Sequence, residues 1–242
     1  MKLAIFGYPR SGTTMLLYII QQHLLAAKVI EDWSVINELF NPQETTVLLP
    51  VDGHLTQVML PDKLATPQSR DSRLKLFVEH MDDDYILKCL AFDMHAPAVR
   101  NALLTAGYEF IAVERRNPLE AYLSSIIAYH HQVWNIRDEN DRPVYDPFVF
   151  PEQEMRAHGL AMSYYYYYRD RLNPRAVLYY EDMVSQSTKE TLQSVNLYHD
   201  GVEAKDSPTK KLHTLDDKAK LILNLDEVME HYYSISLTWG MV

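Results

Sequence analysis

The chain has 242 residues, enough for one sizeable α/β domain, and its 47% hydrophobic content supports a buried core. Its formal net charge of -10 argues against general nucleic-acid binding, although local cations can still hold an anionic ligand. The single cysteine, Cys89, excludes an internal disulfide and fits a reducing compartment. No apolar run is long enough to span a membrane, and residues 1–6 resemble a core strand rather than a signal peptide, so we expect a cytoplasmic protein.

Short apolar runs bounded by polar or turn residues recur along the chain, and they predict buried strands. A further short strand and turn is expected between residues 32 and 40, ending at Asn41-Pro42. The four clearest strands are predicted at residues 3–6, 85–90, 108–113 and 176–180.

Segments with apolar residues at helical spacing separate these strands. Alternation of strands and helices favours an α/β fold with three layers, a parallel sheet flanked by helices, in a single domain spanning residues 1–242. The Tyr164–Tyr168 run lies on one of these helices, so we expect some rings to pack inward and others to face solvent. The helices are predicted at residues 12–28, 95–106, 118–131, 153–172 and 215–232.

Two irregular, proline-containing segments near residues 41–75 and 135–155 interrupt this pattern. We interpret them as segments that cover a ligand cleft on the side where a second ligand, here called the acceptor, would enter. Trp33, Trp134 and Tyr145 are aromatic candidates for stacking on an acceptor, but core packing explains them equally well.

The segment Gly7-Tyr8-Pro9-Arg10-Ser11-Gly12-Thr13-Thr14, here called the opening loop, joins the first strand to the first helix. This order is the layout of a phosphate-binding loop, because backbone N–H groups and the dipole at a helix N-terminus both favour an anion. Thr13 stands where a nucleotide P-loop carries lysine, and Arg10 is the only cation in the loop. The alternative is an ordinary turn with a Ser/Thr helix cap.

A second candidate anion site lies where the strand at 108–113 ends and a helix begins. Arg116 is in that loop, and Ser124 follows about two helical turns later, so an arginine and a hydroxyl are available for a separate phosphate. The carboxyl ends of parallel strands form the ligand edge of such a sheet. The alternative is a surface arginine and a small packing serine.

The opening loop from Tyr8 to Thr14 resembles the 5′-phosphosulfate loop of sulfotransferases that use 3′-phosphoadenosine 5′-phosphosulfate (PAPS). Arg116-Asn117-Pro118 through Ser124 resembles their 3′-phosphate motif and has the arginine-to-serine spacing of the family. Tyr180-Glu181-Asp182-Met183 resembles the Tyr-Glu-Asp-Leu segment that follows a late core strand. The three matches occur in the order found in the family, whereas the region after residue 200 matches only loosely.

The resemblance implies a fold like that of P-loop nucleoside triphosphate hydrolases and transfer of a sulfuryl group to an acceptor hydroxyl. The product would be 3′-phosphoadenosine 5′-phosphate (PAP), and no metal is required. Arg10 would stabilise charge on the bridging oxygen as the sulfuryl group leaves. The implied nucleotide contacts are Pro9, Arg10, Ser11, Gly12, Thr13 and Thr14 for the 5′-phosphosulfate, Arg116 and Ser124 for the 3′-phosphate, and Lys210 or Lys211 from a late basic loop.

The general base follows less directly from the resemblance. Relatives that sulfate small molecules place a histidine two residues after a strand-end lysine, but here Leu90 follows Lys88 at that distance. Other relatives use a glutamate after the second strand, so Glu38 is the candidate base and Lys88 a candidate for holding the transferred group or orienting Glu38. A glutamate base favours a carbohydrate or glycolipid hydroxyl, with a peptide tyrosine or a small alcohol still open. The alternative bases are His54, His95, His130 and His131.

Two other functions fit parts of the sequence. A P-loop kinase or nucleotide hydrolase would need a lysine at position 13 and an acidic residue that holds Mg²⁺, for which only Asp93 or Asp182 is available. A nucleotide-binding protein that has lost turnover is the non-enzymatic alternative.

Overall fold

Strands and helices alternate along the chain, which confirms the predicted α/β class. The computed structural model describes residues 1–30, 35–37, 46–51, 54–59, 84–133, 144–207 and 215–239. The strands are β1 Leu3–Gly7, β2 Val35–Asn37, β3 Thr46–Val51, β4 His54–Met59, β5 Ile86–Leu90, β6 Glu109–Glu114 and β7 Ala176–Tyr179. The helices are α1 Thr13–Ala26, α2 Ala91–His95, α3 Pro97–Thr105, α4 Pro118–His131, α5 Glu152–Leu172, α6 Tyr180–Ser185, α7 Thr188–Ser194, α8 Leu215–Leu221 and α9 Leu225–Trp239.

Five strands form one sheet in the order β2-β5-β1-β6-β7, and each neighbouring pair is parallel. The register places Gly7, the last residue of β1, between Leu90 of β5 and Val113 of β6. Because the strands are parallel, their carboxyl ends lie at one edge of the sheet, where the opening loop emerges from its centre.

Helices cover both faces of the sheet, because successive side chains of each strand point to opposite faces. Leu3 and Ile5 of β1 pack into one core with apolar residues of α1, α6 and α7. Ala4 and Phe6 pack into a second core with residues from α2 to α5 and α9. Burial of each large side chain in these cores contributes roughly 1.5–3 kcal/mol, which holds β1 firmly beneath the opening loop.

The tyrosine run on α5 divides between core and surface, as its helical position predicts. Tyr165 is fully buried and Tyr168 is buried, whereas Tyr167 is exposed. The Tyr165 ring lies edge-on to Tyr8 of the opening loop, with 5.0 Å between ring centroids. The run therefore supports the loop from below by packing.

The prediction of an irregular segment at residues 41–75 is wrong for part of that range. Strands β3 and β4 pair in antiparallel register as a separate two-stranded sheet, from Thr46 opposite Met59 to Val51 opposite His54. The segment predicted at 135–155 also ends earlier, because α5 begins at Glu152.

Two predicted helices differ from the structure in where they begin or in their continuity. The helix expected at 95–106 corresponds to α3, which begins at Pro97 because Ala96 before the proline is extended, and the short helix α2 precedes it. The helix expected at 215–232 is divided into α8 and α9, because the backbone at 221–223 forms hydrogen bonds with Phe148. In the described ranges, no helix is long and apolar enough to cross a membrane.

Candidate functional site

The opening loop lies at a point where the chain connections diverge on either side of β1. From β1 the chain enters α1 on one face of the sheet, whereas the crossover from β5 to β6 passes through α2 and α3 on the other face. The loops that follow β1 and β6 therefore lie side by side at the sheet edge. Such a switch point is where open α/β sheets bind ligands.

The loop has a backbone shape that glycine makes possible. A Cβ on Gly7 would lie 2.3 Å from Ser11 Oγ and 2.7 Å from the carbonyl oxygen of Val113, so the loop folds back directly over the end of β1. Gly12 has a φ of 109°, and Arg10 also adopts a positive φ of 67°. The Ser11 N–H donates to the Tyr8 carbonyl at 3.1 Å and closes the turn.

Helix α1 begins at this loop without a side-chain cap. Gly12 is its N-cap residue, and the first backbone bond of the helix runs from the Leu16 N–H to the Gly12 carbonyl. The alternative of a Ser/Thr-capped turn is therefore wrong. The first N–H groups of α1 and the positive end of its dipole are available to an anion.

Ser11 adds a buried side-chain donor next to the start of α1. Its side chain is fully buried, and its Oγ has no hydrogen-bond partner in the part of the chain that the structure describes. A buried hydroxyl without a hydrogen-bond partner destabilises the folded protein. A bound oxyanion that accepts its hydrogen bond would remove that cost.

Lys88 supplies a cation from the neighbouring strand. It lies on β5 with its side chain only 6% exposed, and its Nζ donates to Thr14 Oγ1 at 2.8 Å. In the strand register Lys88 lies opposite Asn37, the last residue of β2. Glu38, which follows Asn37 in the chain, lies outside the described residues, and so do Lys210 and Lys211.

Arg10 extends from the loop towards α4. Its Nε donates to Ser124 Oγ at 3.3 Å, so the structure brings together one residue from each of the two predicted anion sites. Burial, and then the nearby charge of Arg115, lower the pKa of Arg10 to about 10. Arg10 is thus still a cation at neutral pH.

Arg115 fixes the position of the opening loop, a role that sequence reasoning missed. Its backbone N–H donates to the Tyr8 hydroxyl at 2.8 Å, and its Nε donates to the Arg10 carbonyl at 2.9 Å. Its guanidinium lies 4.0 Å from the centre of the Tyr180 ring. The sequence places two arginines side by side, and only these long-range contacts distinguish their roles.

Arg116 contacts the end of β7 and the start of α6. Its guanidinium donates to both carboxylate oxygens of Asp182, at 2.6 and 3.3 Å, and lies 4.2 Å from the centre of the Tyr179 ring. Its backbone N–H donates to Glu181 Oε2 at 3.0 Å. The hydrogen bonds to Asp182 and the attraction of its charge raise the pKa of the exposed Arg116 side chain.

A small cleft, here called the α4–α8 cleft, lies beside Arg10 and has a volume of about 10 Å³, which is room for roughly one water. Lys218 of α8 lies in its lining and is only 3% exposed, and its Nζ donates to Glu120 Oε1 at 3.1 Å. Glu120 Oε1 also lies 3.7 Å from Arg115 Nη1. The lining consists of Arg10, Ser124, Ile127, Ala128, Val133, Tyr145 and Lys218.

The candidate histidines make mainly aromatic contacts. The ring of His95 stacks on Tyr164 at 4.0 Å, and that of His130 stacks on Phe148 at 3.8 Å. His131 packs against Tyr145, and burial lowers its pKa. The side chain of the remaining candidate, His54 on β4, lies outside the described side chains.

In the described ranges, no group of three or more histidine, cysteine, aspartate or glutamate side chains is arranged to hold a metal ion. Pro9 is half-buried between Tyr8 and Arg10 and helps to shape the turn.

Comparison of the chain with protein-family models, curated proteins and solved structures finds no significant match.

Proposed function

We propose that the protein is a sulfotransferase that transfers a sulfuryl group from PAPS to an acceptor hydroxyl and releases PAP. The observation that carries this proposal is the hydrogen bond between Arg10 and Ser124. It joins the opening loop to α4, so that one ligand with two separate anionic groups can contact both elements.

The opening loop is suited to the 5′-phosphosulfate. The uncapped start of α1 offers backbone N–H groups, and the Ser11 hydroxyl is a buried donor beside them. The Lys88 ammonium, at 2.8 Å from the Thr14 hydroxyl, brings a positive charge to the mouth of the loop. These groups support a P-loop-like unit in which the cation comes from a neighbouring strand and from Arg10.

The proposed reaction is an in-line displacement at sulfur. The acceptor oxygen forms a bond to sulfur while the bond from sulfur to the 5′-phosphate oxygen breaks, and PAP leaves with that electron pair. Arg10 and Lys88 stabilise the negative charge that develops on the leaving oxygen. Glu38 takes the proton of the acceptor hydroxyl, as the resemblance implies.

The two sides of β1 divide the proposed site between nucleotide and acceptor. Lys88 and the end of β2 lie on one side of the opening loop, and the loop after β6 lies on the other. The acceptor therefore approaches over β5 and β2, and the nucleotide extends towards α4. A carbohydrate or glycolipid hydroxyl is the favoured acceptor, and the buried Cys89 fits a cytoplasmic location.

Ligand-dependent thermal unfolding tests this function against the alternatives. PAP and PAPS are expected to raise the Tm of the protein equally well in Mg²⁺ and in EDTA, because the proposed cations are side chains. A rise only with ATP or GTP in Mg²⁺ would instead indicate a P-loop kinase or hydrolase. Binding of PAP without consumption of PAPS in the presence of any acceptor would indicate a nucleotide-binding protein that lacks turnover.

A further inference from the structure

Arg10 is held in a backbone conformation that its side chain disfavours. Its φ of 67° lies in the left-handed region, where the Cβ of any residue other than glycine lies too close to the following carbonyl oxygen. Such a conformation persists only where the surrounding structure fixes it. The shape of the opening loop therefore depends on contacts that hold the backbone of Arg10.

Arg115 makes such a contact. Its Nε donates to the Arg10 carbonyl at 2.9 Å, and its backbone N–H donates to the Tyr8 hydroxyl at 2.8 Å. The Nη1 atom of the same guanidinium is buried and has no hydrogen-bond partner in the part of the chain that the structure describes. A nearby charge can therefore decide where this guanidinium lies.

Glu120 supplies a negative charge from the first turn of α4. Its Oε1 lies 3.7 Å from Arg115 Nη1, and both side chains are buried, so salt and solvent screen the pair only weakly. Burial, and then repulsion from the guanidinium of Arg115, lower the pKa of Arg10. A carboxylate beside Arg115 offsets this repulsion and keeps Arg115 within reach of the Arg10 carbonyl.

Lys218 of α8 contacts the same carboxylate. Its Nζ donates to Glu120 Oε1 at 3.1 Å and to the Glu120 carbonyl at 3.4 Å. Glu120 is thus shared between a cation that holds the opening loop and a cation that joins α8 to α4. The two contacts can be separated by experiment, because removal of Lys218 leaves the pair of Glu120 and Arg115 in place.

We infer that Glu120 is a positioning residue, which holds Arg115 against the Arg10 carbonyl and so keeps the opening loop in the shape that binds an anion. It acts through Arg115 and does not itself contact the anion. The inference rests on the proposed function only where it names the anion as the 5′-phosphosulfate of PAPS. The alternative is that Glu120 serves only to join α4 to α8 through Lys218.

The test compares Lys218→Met with Glu120→Gln/Lys218→Met. Both variants lack the ion pair between α4 and α8, and they differ only in the carboxylate that faces Arg115. Glu120→Gln alone is avoided, because it leaves Lys218 buried without its carboxylate, which strongly destabilises a protein. The same two variants are made again together with Arg10→Gly, because glycine adopts a left-handed backbone without strain.

Hydrogen–deuterium exchange measures the shape of the opening loop without any ligand. The Ser11 N–H is the reporter, since it closes the turn on the Tyr8 carbonyl at 3.1 Å, and the amides of β6 report global unfolding. Calorimetric titration in EDTA with PAP and with inorganic sulfate then measures anion binding. Glu109→Gln, which removes the carboxylate partner of Arg175 at the start of β6, is the control for loss of a carboxylate.

The Ser11 amide is expected to exchange roughly tenfold faster in Glu120→Gln/Lys218→Met than in Lys218→Met, and PAP to bind roughly tenfold more weakly. With Arg10→Gly present, the two exchange rates should agree within about twofold, because no strained backbone remains for Arg115 to hold. Glu109→Gln should exchange at Ser11 as the wild type does.

Equal exchange of Ser11 in the two variants would overturn the inference, because Glu120 would then act only through Lys218. A difference that persists with Arg10→Gly would also overturn it, because the effect would not pass through the backbone of Arg10. Different exchange with equal affinities for both anions would show that the loop shape so held does not bind an anion.

Failure of the proposed function has a different signature. In that case neither the wild type nor any variant binds PAP. The difference in Ser11 exchange would nevertheless remain, and inorganic sulfate would still bind Lys218→Met more tightly than Glu120→Gln/Lys218→Met.

Discussion

Replacement of Gly7 by alanine is expected to deform the opening loop, because the loop folds too closely over β1 to admit a Cβ. That atom would lie 2.3 Å from Ser11 Oγ, 2.7 Å from the Val113 carbonyl oxygen and 2.8 Å from Thr13 Cγ2, whereas ordinary contact begins at 3.4 Å. The Val113 oxygen belongs to the backbone of β6, which pairs with β1 and β7, and it cannot move alone. The loop must therefore lift away from the strand, which displaces the start of α1.

The magnitude follows from the cost of overpacking a close contact. We expect Gly7→Ala to lower the free energy of unfolding by about 1–3 kcal/mol, or the Tm by about 2–12 °C for a chain of this size. PAP at a hundred times its Kd stabilises the wild type by about 2.7 kcal/mol, which corresponds to about 5–11 °C. That increase should be absent from Gly7→Ala.

Thermal unfolding with and without PAP measures both effects. Gly201→Ala is the control, because Gly201 has a φ of 81° and no atom within 4 Å of an added Cβ. It carries backbone strain of roughly 1–2 kcal/mol away from the loop and should keep the full PAP-induced increase in Tm. A wild-type increase in Gly7→Ala would show that the loop does not bind the anion.

Three further predictions concern the charges of the site and its support. Lys88→Met should weaken PAP binding in calorimetry by roughly tenfold or more, because it removes the cation beside Thr14, and unchanged affinity would contradict that role. Glu38→Gln should leave PAP affinity unchanged and reduce the rate of PAP release from PAPS. A loss of PAP affinity as large as the loss of rate would exclude Glu38 as the base. His158 of α5 supports α4, because its Nδ1 forms a hydrogen bond with Ser125 Oγ. Burial lowers the pKa of His158 to about 4 from its ordinary value near 6.5, so the unfolded state binds more protons as the pH falls between these values. As the pH falls through this window, the free energy of unfolding of the wild type should therefore decrease by up to roughly 3 kcal/mol more than that of His158→Gln. The same pH dependence of stability in both proteins, measured by denaturant titration, would refute the lowered pKa of His158.

The sequence was sufficient to predict the central part of the fold. The predicted strands at 3–6, 85–90, 108–113 and 176–180 agree with β1, β5, β6 and β7 to within one or two residues. Their apolar runs are buried on both faces of a parallel sheet, so local pattern and tertiary position agree. Helix α4 begins at Pro118 and ends at His131 as predicted, because proline favours the first helical turn.

Two local signals in the sequence indicate features that the predicted elements omit. The hairpin of β3 and β4 was missed although Asp52-Gly53, a common hairpin turn pair, separates its strands, because Pro50 argues against a regular strand. The break between α2 and α3 follows from Pro97, which disfavours helical backbone at the preceding residue.

The remaining errors arise from contacts between distant parts of the chain. Asn224 exchanges hydrogen bonds with the backbone of Phe150, which helps to separate α8 from α9, and no local pattern reveals that contact. Lys218 resembles any surface lysine in the sequence, and its burial depends on Glu120, which lies 98 residues earlier. The choice between Arg115 and Arg116 at the opening loop depends in the same way on where β6 ends.

Release of PAP from PAPS in EDTA, followed with a mixture of carbohydrate, glycolipid, tyrosine-peptide and small-alcohol acceptors, tests the central claim most directly. We expect PAP to accumulate only when an acceptor is present and without a requirement for Mg²⁺, and we expect Arg10→Met to abolish the reaction. PAPS that stays intact with every acceptor, or turnover that persists in Arg10→Met, would contradict the central claim.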